Sequence, residues 1–193
     1  MSIIQSHSIT LQKDTITLRP LSDEHLPLLY RWNADPEVLY WTEGGDDPNL
    51  SYSPETVHQI YGGISSQGNL CFVIEVHGQI IGECWLQKMN IPDVWAMYPE
   101  GMDIRRIDMC IGEKSFWSQG FGSAAMAILI DFAFSHENVD ILHCINDDYN
   151  HRSCRMMEKN HFHIIRQVPL PQPSFGQYEL HWQLTQKEYL SLL

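Results

Sequence analysis

A strand, two glycines and an apolar helix in succession mark the part of this chain best suited to bind an anionic ligand. Residues 103–112 carry regularly spaced apolar side chains, glycines follow at 120 and 122, and residues 122–135 are almost wholly apolar. This pattern predicts a strand, a tight turn and a buried helix. Glycine lets the backbone approach a ligand closely, and the N–H groups at a helix N-terminus attract negative charge. A diphosphate is the natural ligand of such a turn.

Two other interpretations of the glycine turn remain open. A dinucleotide-binding turn would open the fold and would carry a full G-x-G-x-x-G run, whereas here three or more strands are expected before the turn and the run is incomplete. The glycines could also serve the tight turn alone, without any ligand.

The charge balance restricts the partners further. Twenty-four acidic residues oppose twelve basic ones, which gives a formal net charge of −12. Such a field repels phosphate backbones and anionic lipids and attracts polycations, although acidity can also serve solubility alone. Half of the basic residues lie within residues 105–159, whereas acidic residues crowd the N-terminal part. We therefore expect an anionic ligand in one half of the chain, a cationic one in the other, and neither a nucleic-acid nor a membrane partner.

Length and composition are those of one globular domain over residues 1–193. Hydrophobic residues make up 44% and charged residues 19%, which excludes a disordered chain. Five irregularly spaced cysteines without an export signal indicate reduced thiols and a cytoplasmic protein. Oligomeric state has no signature in the sequence.

The elements that must position the glycine turn are predicted in the order β-α-α-β-β-β-α-β-α-β-β, a mixed α+β domain around one sheet. Residues 70–76 and 79–86 flank His77-Gly78 and predict a hairpin. Ser53-Pro54 predicts the start of a helix. Several helix breakers within residues 40–50 predict a loop.

Two motifs carry a resemblance to a known family. The run Trp117-Ser118-Gln119-Gly120-Phe121-Gly122 resembles the pyrophosphate loop of GNAT acetyltransferases, with Trp117 where an Arg or Gln is usual. The segment from Asn150 to Glu158-Lys159-Asn160-His161-Phe162 resembles the second landmark of that family, with Asn160-His161 replacing the usual x-Gly. The resemblance implies the GNAT fold, a central mixed but mostly antiparallel sheet of about seven strands flanked by helices.

The resemblance also implies acetyl-CoA as the co-substrate. Gly120, Phe121, Gly122 and Ser123 are then expected to bind its pyrophosphate, and Asn150 its pantetheine arm. Backbone groups of the strand Met109 to Ile111 are expected to stabilise the oxyanion. The residues expected to bind the cofactor are Met109, Ile111, Gly120, Phe121, Gly122, Ser123, Asn150 and Ser153.

Among GNAT enzymes the chain is most similar to aminoglycoside 6′-N-acetyltransferases. Arg105-Arg106-Ile107-Asp108 resembles the strand on which those enzymes carry a catalytic aspartate, and Trp41-Thr42-Glu43-Gly44-Gly45 resembles their substrate loop. A carboxylate at Asp108 can hold an incoming ammonium and accept its proton. An alternative for Asp108 is an outward-facing ion pair with Arg105 or Arg106.

The expected substrate is therefore a cationic aminoglycoside. Its 6′ amine is the preferred acceptor, and a 2′ amine, as in kasugamycin, stays open. Trp41 could form an apolar wall for a sugar ring, and acidic side chains could pair with the other ammonium groups. The residues expected to bind the substrate are Trp41, Glu43, Asp147 and Asp148, with Asp46 and Asp47 as further candidates.

One departure from the family pattern concerns the residue that protonates the leaving thiolate. GNAT enzymes often protonate it with a tyrosine just before Glu-Lys, and this chain has Met157 there, which cannot donate a proton. Tyr149, Ser153 or a water could replace the tyrosine.

Other functions are less well supported. The histidines and cysteines of residues 143–163 do not repeat zinc-ligand spacing, so we expect no metal. Cys110 and Cys154 are interpreted as packing residues and not as nucleophiles. The alternatives are a ribosomal-protein or peptide N-terminal acetyltransferase, favoured by Trp117, and a non-catalytic acetyl-CoA sensor, favoured by Met157.

Overall fold

The chain folds into one eight-stranded sheet with helices on both faces. The structure is a computed structural model, and it describes residues 4–43, 45, 47 and 49–193. The strands are β1 (Leu11–Lys13), β2 (Ile16–Pro20), β3 (Leu70–Val76), β4 (Gln79–Lys88), β5 (Ile104–Cys110), β6 (Ile141–Asp147), β7 (His163–Pro169) and β8 (Tyr178–Thr185). The helices are α1 (Leu26–Trp32), α2 (Pro36–Thr42), α3 (Pro54–Ser66), α4 (Pro92–Trp95), α5 (Phe121–Ser135), α6 (His151–Lys159) and α7 (Gln186–Leu190).

The strand order is β1-β2-β3-β4-β5-β6-β8-β7, and only the β5–β6 pair is parallel. That pair is short. Its register covers residues 104–106 against 141–143, whereas β5 continues to Cys110 and β6 to Asp147. The two strands therefore separate beyond residue 106 and leave a gap in the middle of the sheet.

The main core lies between one sheet face and the apolar helix α5. Met126, Leu129 and Ala133 of α5 are fully buried and pack in one cluster with Leu142 of β6. A helix that is apolar on nearly all sides needs cover on most of its surface, and the sheet and α6 provide it. A second cluster, which includes Leu29 and Val57, packs α1 and α3 against the other face.

The predicted α+β class, the hairpin at His77-Gly78 and the strand–turn–helix unit are confirmed. The sheet has eight strands instead of about seven, because the short β1 pairs with β2 ahead of the first predicted strand. The predicted loop at residues 40–50 is wrong at its start, since Tyr40, Trp41 and Thr42 belong to α2. This helix forms because Asp35 accepts the N–H of Glu37 as its N-cap and Pro36 suits the first helical position. Within the described residues, no helix has the length and apolar character needed to cross a membrane.

Candidate active site

A cleft of about 730 Å³ lies where β5 and β6 separate. The glycine turn, α6, α2, α3 and β4 all contribute residues to its lining. All eight residues predicted to bind the cofactor line this cleft, as do Asp108, Trp41, Glu43 and Asp147. The structure therefore brings together residues that are up to 112 positions apart in the sequence.

The glycine turn has a backbone conformation that glycine adopts far more readily than other residues. Gly120 is the N-cap of α5 and has φ +88°, a region that side chains with a Cβ rarely adopt. Trp117 closes the turn on the strand side, because its indole N–H donates to the carbonyl of Ile111 at 2.5 Å. Residues of the first turn of this 15-residue helix line the cleft, and the N–H groups of a first turn have no acceptor within the helix, as an anion site requires.

Three basic residues of α6 also line the cleft. They belong to the half of the chain that the sequence assigns to an anionic ligand, but they were not among the individual residues predicted to bind it. The guanidinium of Arg152 lies 4.8 Å from the ring centre of Trp41 and 4.5 Å from that of Trp117. Arg155 and Lys159 follow one and two turns later on the same helix face. None of the three forms an ion pair with a carboxylate in the described part of the chain. In an acidic protein, this cationic stripe favours an anionic ligand.

Asn150 connects α6 to α2. Its Oδ1 accepts the N–H of Ser153 at 3.1 Å as the N-cap of α6, and its Nδ2 donates to the carbonyl of Trp41 at 2.7 Å. The hydroxyl of Tyr149 donates to the carbonyl of Tyr40. The end of α2 is therefore fixed against the start of α6, and Trp41 faces the cleft at a set position.

Asp108 lies on β5 in the middle of the cleft, with its side chain 34% exposed. Its Oδ2 accepts from Nε2 of Gln87 at 2.5 Å and from Nε of Arg106 at 2.8 Å. The ion pair with Arg106 weighed from the sequence is thus present, but it lies inside the cleft. No described residue donates to Oδ1. An incoming cation would share this carboxylate with Arg106.

Acidic side chains also line the cleft. Glu43 accepts the hydroxyl of Tyr52 at 2.9 Å, and burial raises the pKa of its carboxyl. Asp147 lines the cleft at the end of β6. Asp148 lies outside the lining, where its Oδ1 accepts the N–H of Gln177 at 2.9 Å. Gly44 and Asp46, which belong to the predicted substrate loop, are outside the described residues, and Asp47 does not line the cleft.

Glu83 of β4 is a further acidic residue of the cleft lining that sequence reasoning missed. It is 4% exposed, and the hydroxyl of Tyr61 donates to its Oε1 at 3.3 Å. The available signal was a charged residue within the apolar run of residues 80–86, which was interpreted only as a strand.

The cysteine thiols and Met157 are considered as possible nucleophiles or proton donors in acetyl transfer. Burial raises the pKa of the Cys110 and Cys154 thiols, so both are protonated near neutral pH and are poor nucleophiles. Met157 is buried and lines the cleft without a proton to donate. The described residues contain no group of three or more His, Cys, Asp or Glu arranged to hold a metal ion.

The fold and the cleft define an acyltransferase-type architecture, in which a cofactor arm can enter between two separating strands. Comparison with known proteins specifies the family. The chain matches the acetyltransferase (GNAT) domain over residues 15–163 and therefore belongs to this family, whose acetyl donor is acetyl-CoA.

Individual relatives are distant. An aminoglycoside N(6′)-acetyltransferase type 1 of Klebsiella pneumoniae is 20% identical over 172 residues, which are 89% of this chain and 85% of the relative. The crystal structure of aminoglycoside acetyltransferase AAC(6′)-Ib with coenzyme A and kanamycin has a TM-score of 0.75 at 18% identity, covering 91% of this chain and 98% of that one. The spermidine N-acetyltransferase of Vibrio cholerae with CoA and spermine has a TM-score of 0.73 at 18% identity, covering 92% and 99%.

Proposed function

We propose that this chain transfers the acetyl group of acetyl-CoA to an amine of an aminoglycoside, with the 6′ amine as the preferred acceptor, and so confers resistance. The observation that carries the proposal is that one cleft is lined by a set of basic side chains next to the glycine turn and also by a set of acidic side chains. The basic set is Arg152, Arg155 and Lys159 of α6, and the acidic set is Glu43, Glu83 and Asp147. A phosphorylated donor matches the basic set, and a polycationic acceptor matches the acidic set.

The proposed assignment of the donor end starts from the turn. The N–H groups at Gly120, Phe121, Gly122 and Ser123 bind the pyrophosphate, helped by the basic face of α6. The pantetheine arm enters the gap between β5 and β6, next to Asn150 and Ser153. Met109 and Ile111 lie on the strand that borders this gap, and a backbone N–H there stabilises the oxyanion of the tetrahedral intermediate.

At the acceptor end, Asp108 orients the amine and accepts its proton directly or through water. Trp41 provides an apolar face for a sugar ring, and Glu43 and Asp147 hold further ammonium groups. Attack of the deprotonated amine on the thioester forms the amide and expels the CoA thiolate. Because Met157 cannot protonate this thiolate, and the Tyr149 hydroxyl already donates to Tyr40, we assign the proton transfer to Ser153 or water.

A polyamine is the second candidate acceptor, supported by the structural similarity to a spermidine N-acetyltransferase. A single assay separates the candidates. Thiol release from acetyl-CoA is measured with kanamycin, tobramycin, gentamicin, kasugamycin, spermidine and an alanine-initiated peptide. We expect turnover with the aminoglycosides, and product NMR should place the acetyl group on the 6′ nitrogen. Turnover with spermidine or the peptide alone would replace the proposal with that acceptor class, and tight acetyl-CoA binding without any turnover would favour a sensor.

A further inference from the structure

Glu83 is the most deeply buried carboxylate of the cleft, and its hydrogen bonding is incomplete. Only 4% of the residue is exposed, and its Oε1 accepts one long hydrogen bond, 3.3 Å, from the Tyr61 hydroxyl. Its Oε2 has no hydrogen-bond partner among the described residues. The indole N–H of Trp85 lies nearby but forms no hydrogen bond of acceptable geometry, and it is also without a partner.

A buried carboxylate without its full set of donors is costly, so proteins rarely keep one without a function. Burial first, and then the charge of Asp108, raise the pKa of the Glu83 carboxyl well above its usual value. Burial therefore disfavours the charged form of Glu83 unless a cation lies beside it. Since the residue lines the cleft, a ligand in the cleft can supply the missing donor.

The position of Glu83 relative to Asp108 indicates the spacing of that ligand. Glu83 is opposite Cys110 in the β4–β5 register, and Asp108 is opposite Trp85. The two carboxylates are thus diagonal neighbours on one face of the sheet, with Cα atoms about 7–8 Å apart. Each can bind one amino group, and both groups must belong to one compact fragment of the acceptor, such as a single sugar ring.

We propose that Glu83 is a specificity residue that binds a second ammonium group on the same ring as the acceptor amine. The inference rests on the proposed function for the identity of the ring, but it concerns recognition and not transfer. Glu83 thereby selects diamino sugars over sugars with a hydroxyl at the second position, because a hydroxyl cannot form the ion pair.

Two kanamycins give a matched test, since kanamycin B carries an amine where kanamycin A carries a hydroxyl on the acceptor ring. Calorimetry measures the affinity of the CoA-bound protein for each. We expect at least about a tenfold preference for kanamycin B, in line with a charge-assisted hydrogen bond. Glu83→Gln should reduce the preference to less than about threefold, because the amide cannot form the ion pair with the second ammonium group. Glu75→Gln is the control, because Glu75 lies on the adjacent strand β3, pairs with Arg19 at 2.9 Å outside the cleft, and loses the same charge.

This test measures binding and not turnover, so its result is separate from the test of the proposed function. Kanamycin B preference without turnover would support the role of Glu83 and contradict the aminoglycoside activity. Equal affinity of the wild type for both kanamycins, no affinity for either, or an unchanged preference in Glu83→Gln would each overturn the inference. Should Glu83→Gln fail to fold, Glu83→Met removes the charge and keeps the volume, and the same loss of preference is expected.

Discussion

The guanidinium of Arg152 lies 4.5 Å from the ring centre of Trp117, the residue that replaces the usual Arg or Gln of the pyrophosphate loop. The positive charge at this end of the cleft is therefore still present, but α6 supplies it. Trp117 provides the surface on which that charge rests, and Trp41 covers its other side at 4.8 Å. The unusual residue in the motif is thus part of a stacked unit that joins the glycine turn, α6 and α2.

Replacing Arg152 with lysine tests this stacked unit. Lysine keeps the charge but loses the planar group that stacks between two indoles. A loss of about 1 kcal/mol is expected for a partly exposed cation–π contact, so the Kd for acetyl-CoA should rise about fivefold. Calorimetry measures the change. Arg166→Lys, on the exposed edge strand β7, is the matched control and should bind acetyl-CoA as the wild type does. Equal affinities for both variants would contradict the importance of stacking.

Two glycines allow the effect of a positive φ to be tested separately from steric crowding by an added Cβ. A Cβ at Gly120 or at Gly63 would meet no atom within 4 Å, but only Gly120 has a positive φ. Gly120→Ala should lower the free energy of unfolding by about 1 kcal/mol and weaken acetyl-CoA binding. Gly63→Ala, within α3, should instead raise it by about 0.5–1 kcal/mol and leave binding unchanged. Urea titration measures the free energy of unfolding, and calorimetry measures acetyl-CoA binding. A Gly120→Ala variant as stable and as tightly binding as the wild type would refute the role of the positive φ.

Asp108→Asn tests the assignment of the central carboxylate. The amide keeps the shape but can neither hold an ammonium by charge nor accept a proton, so kcat/KM for the best aminoglycoside should fall at least about 100-fold. The Kd for acetyl-CoA should not change, because Asp108 is not among the residues assigned to the donor. Asp93→Asn, at an exposed position of α4, controls for the loss of one negative charge. Full activity of Asp108→Asn would remove the catalytic role and leave only the ion pair with Arg106.

His143 predicts a dependence of stability on pH. Burial, then the charges of His181 and Arg106, lower its pKa to about 4. The unfolded chain binds a proton at this position below about pH 6.5, and the folded chain does not until about pH 4. The free energy of unfolding should therefore rise with pH between 4 and 6.5, by on the order of 2 kcal/mol from this group, and change little above 6.5.

The measurement is urea unfolding of the wild type and of His143→Gln at pH 4.5, 5.5 and 7. The pKa values of His7 and His25 are also lowered by burial, so some slope will remain in the variant. His58→Gln on α3 is the control and should retain the slope of the wild type. A His143→Gln variant with an undiminished slope would show that His143 does not carry the effect.

The part of the site that the sequence predicted is the part built from local signals. Glycines after a strand and an N-cap before a helix act within a few residues, so Gly120 and Asn150 could be located without the fold. The helix α2 was missed because the breakers of residues 43–50 obscured the Asp35-Pro36 start signal. Its Trp41 still reaches the cleft, through the hydrogen bond from Asn150.

The residues that were missed depend on contacts between distant segments. Glu83 is assigned to the cleft only when β5 and α3 are placed beside β4, which no local pattern reveals. Arg152 likewise becomes a stacked cation only when two tryptophans 76 positions apart meet across it. Asp148 shows the opposite error, since an acid next to a correctly located strand end still turned away from the cleft.

The gap between β5 and β6 affects how this site can evolve. Where strands separate, their amide and carbonyl groups are available to a ligand, and these groups are the same for every residue type except proline. A mutation of a side chain along this gap leaves most of the recognition surface intact. Side chains along this gap can therefore be substituted over evolution while the backbone part of the donor pocket persists, and new acceptor preferences can arise from side-chain changes elsewhere in the cleft.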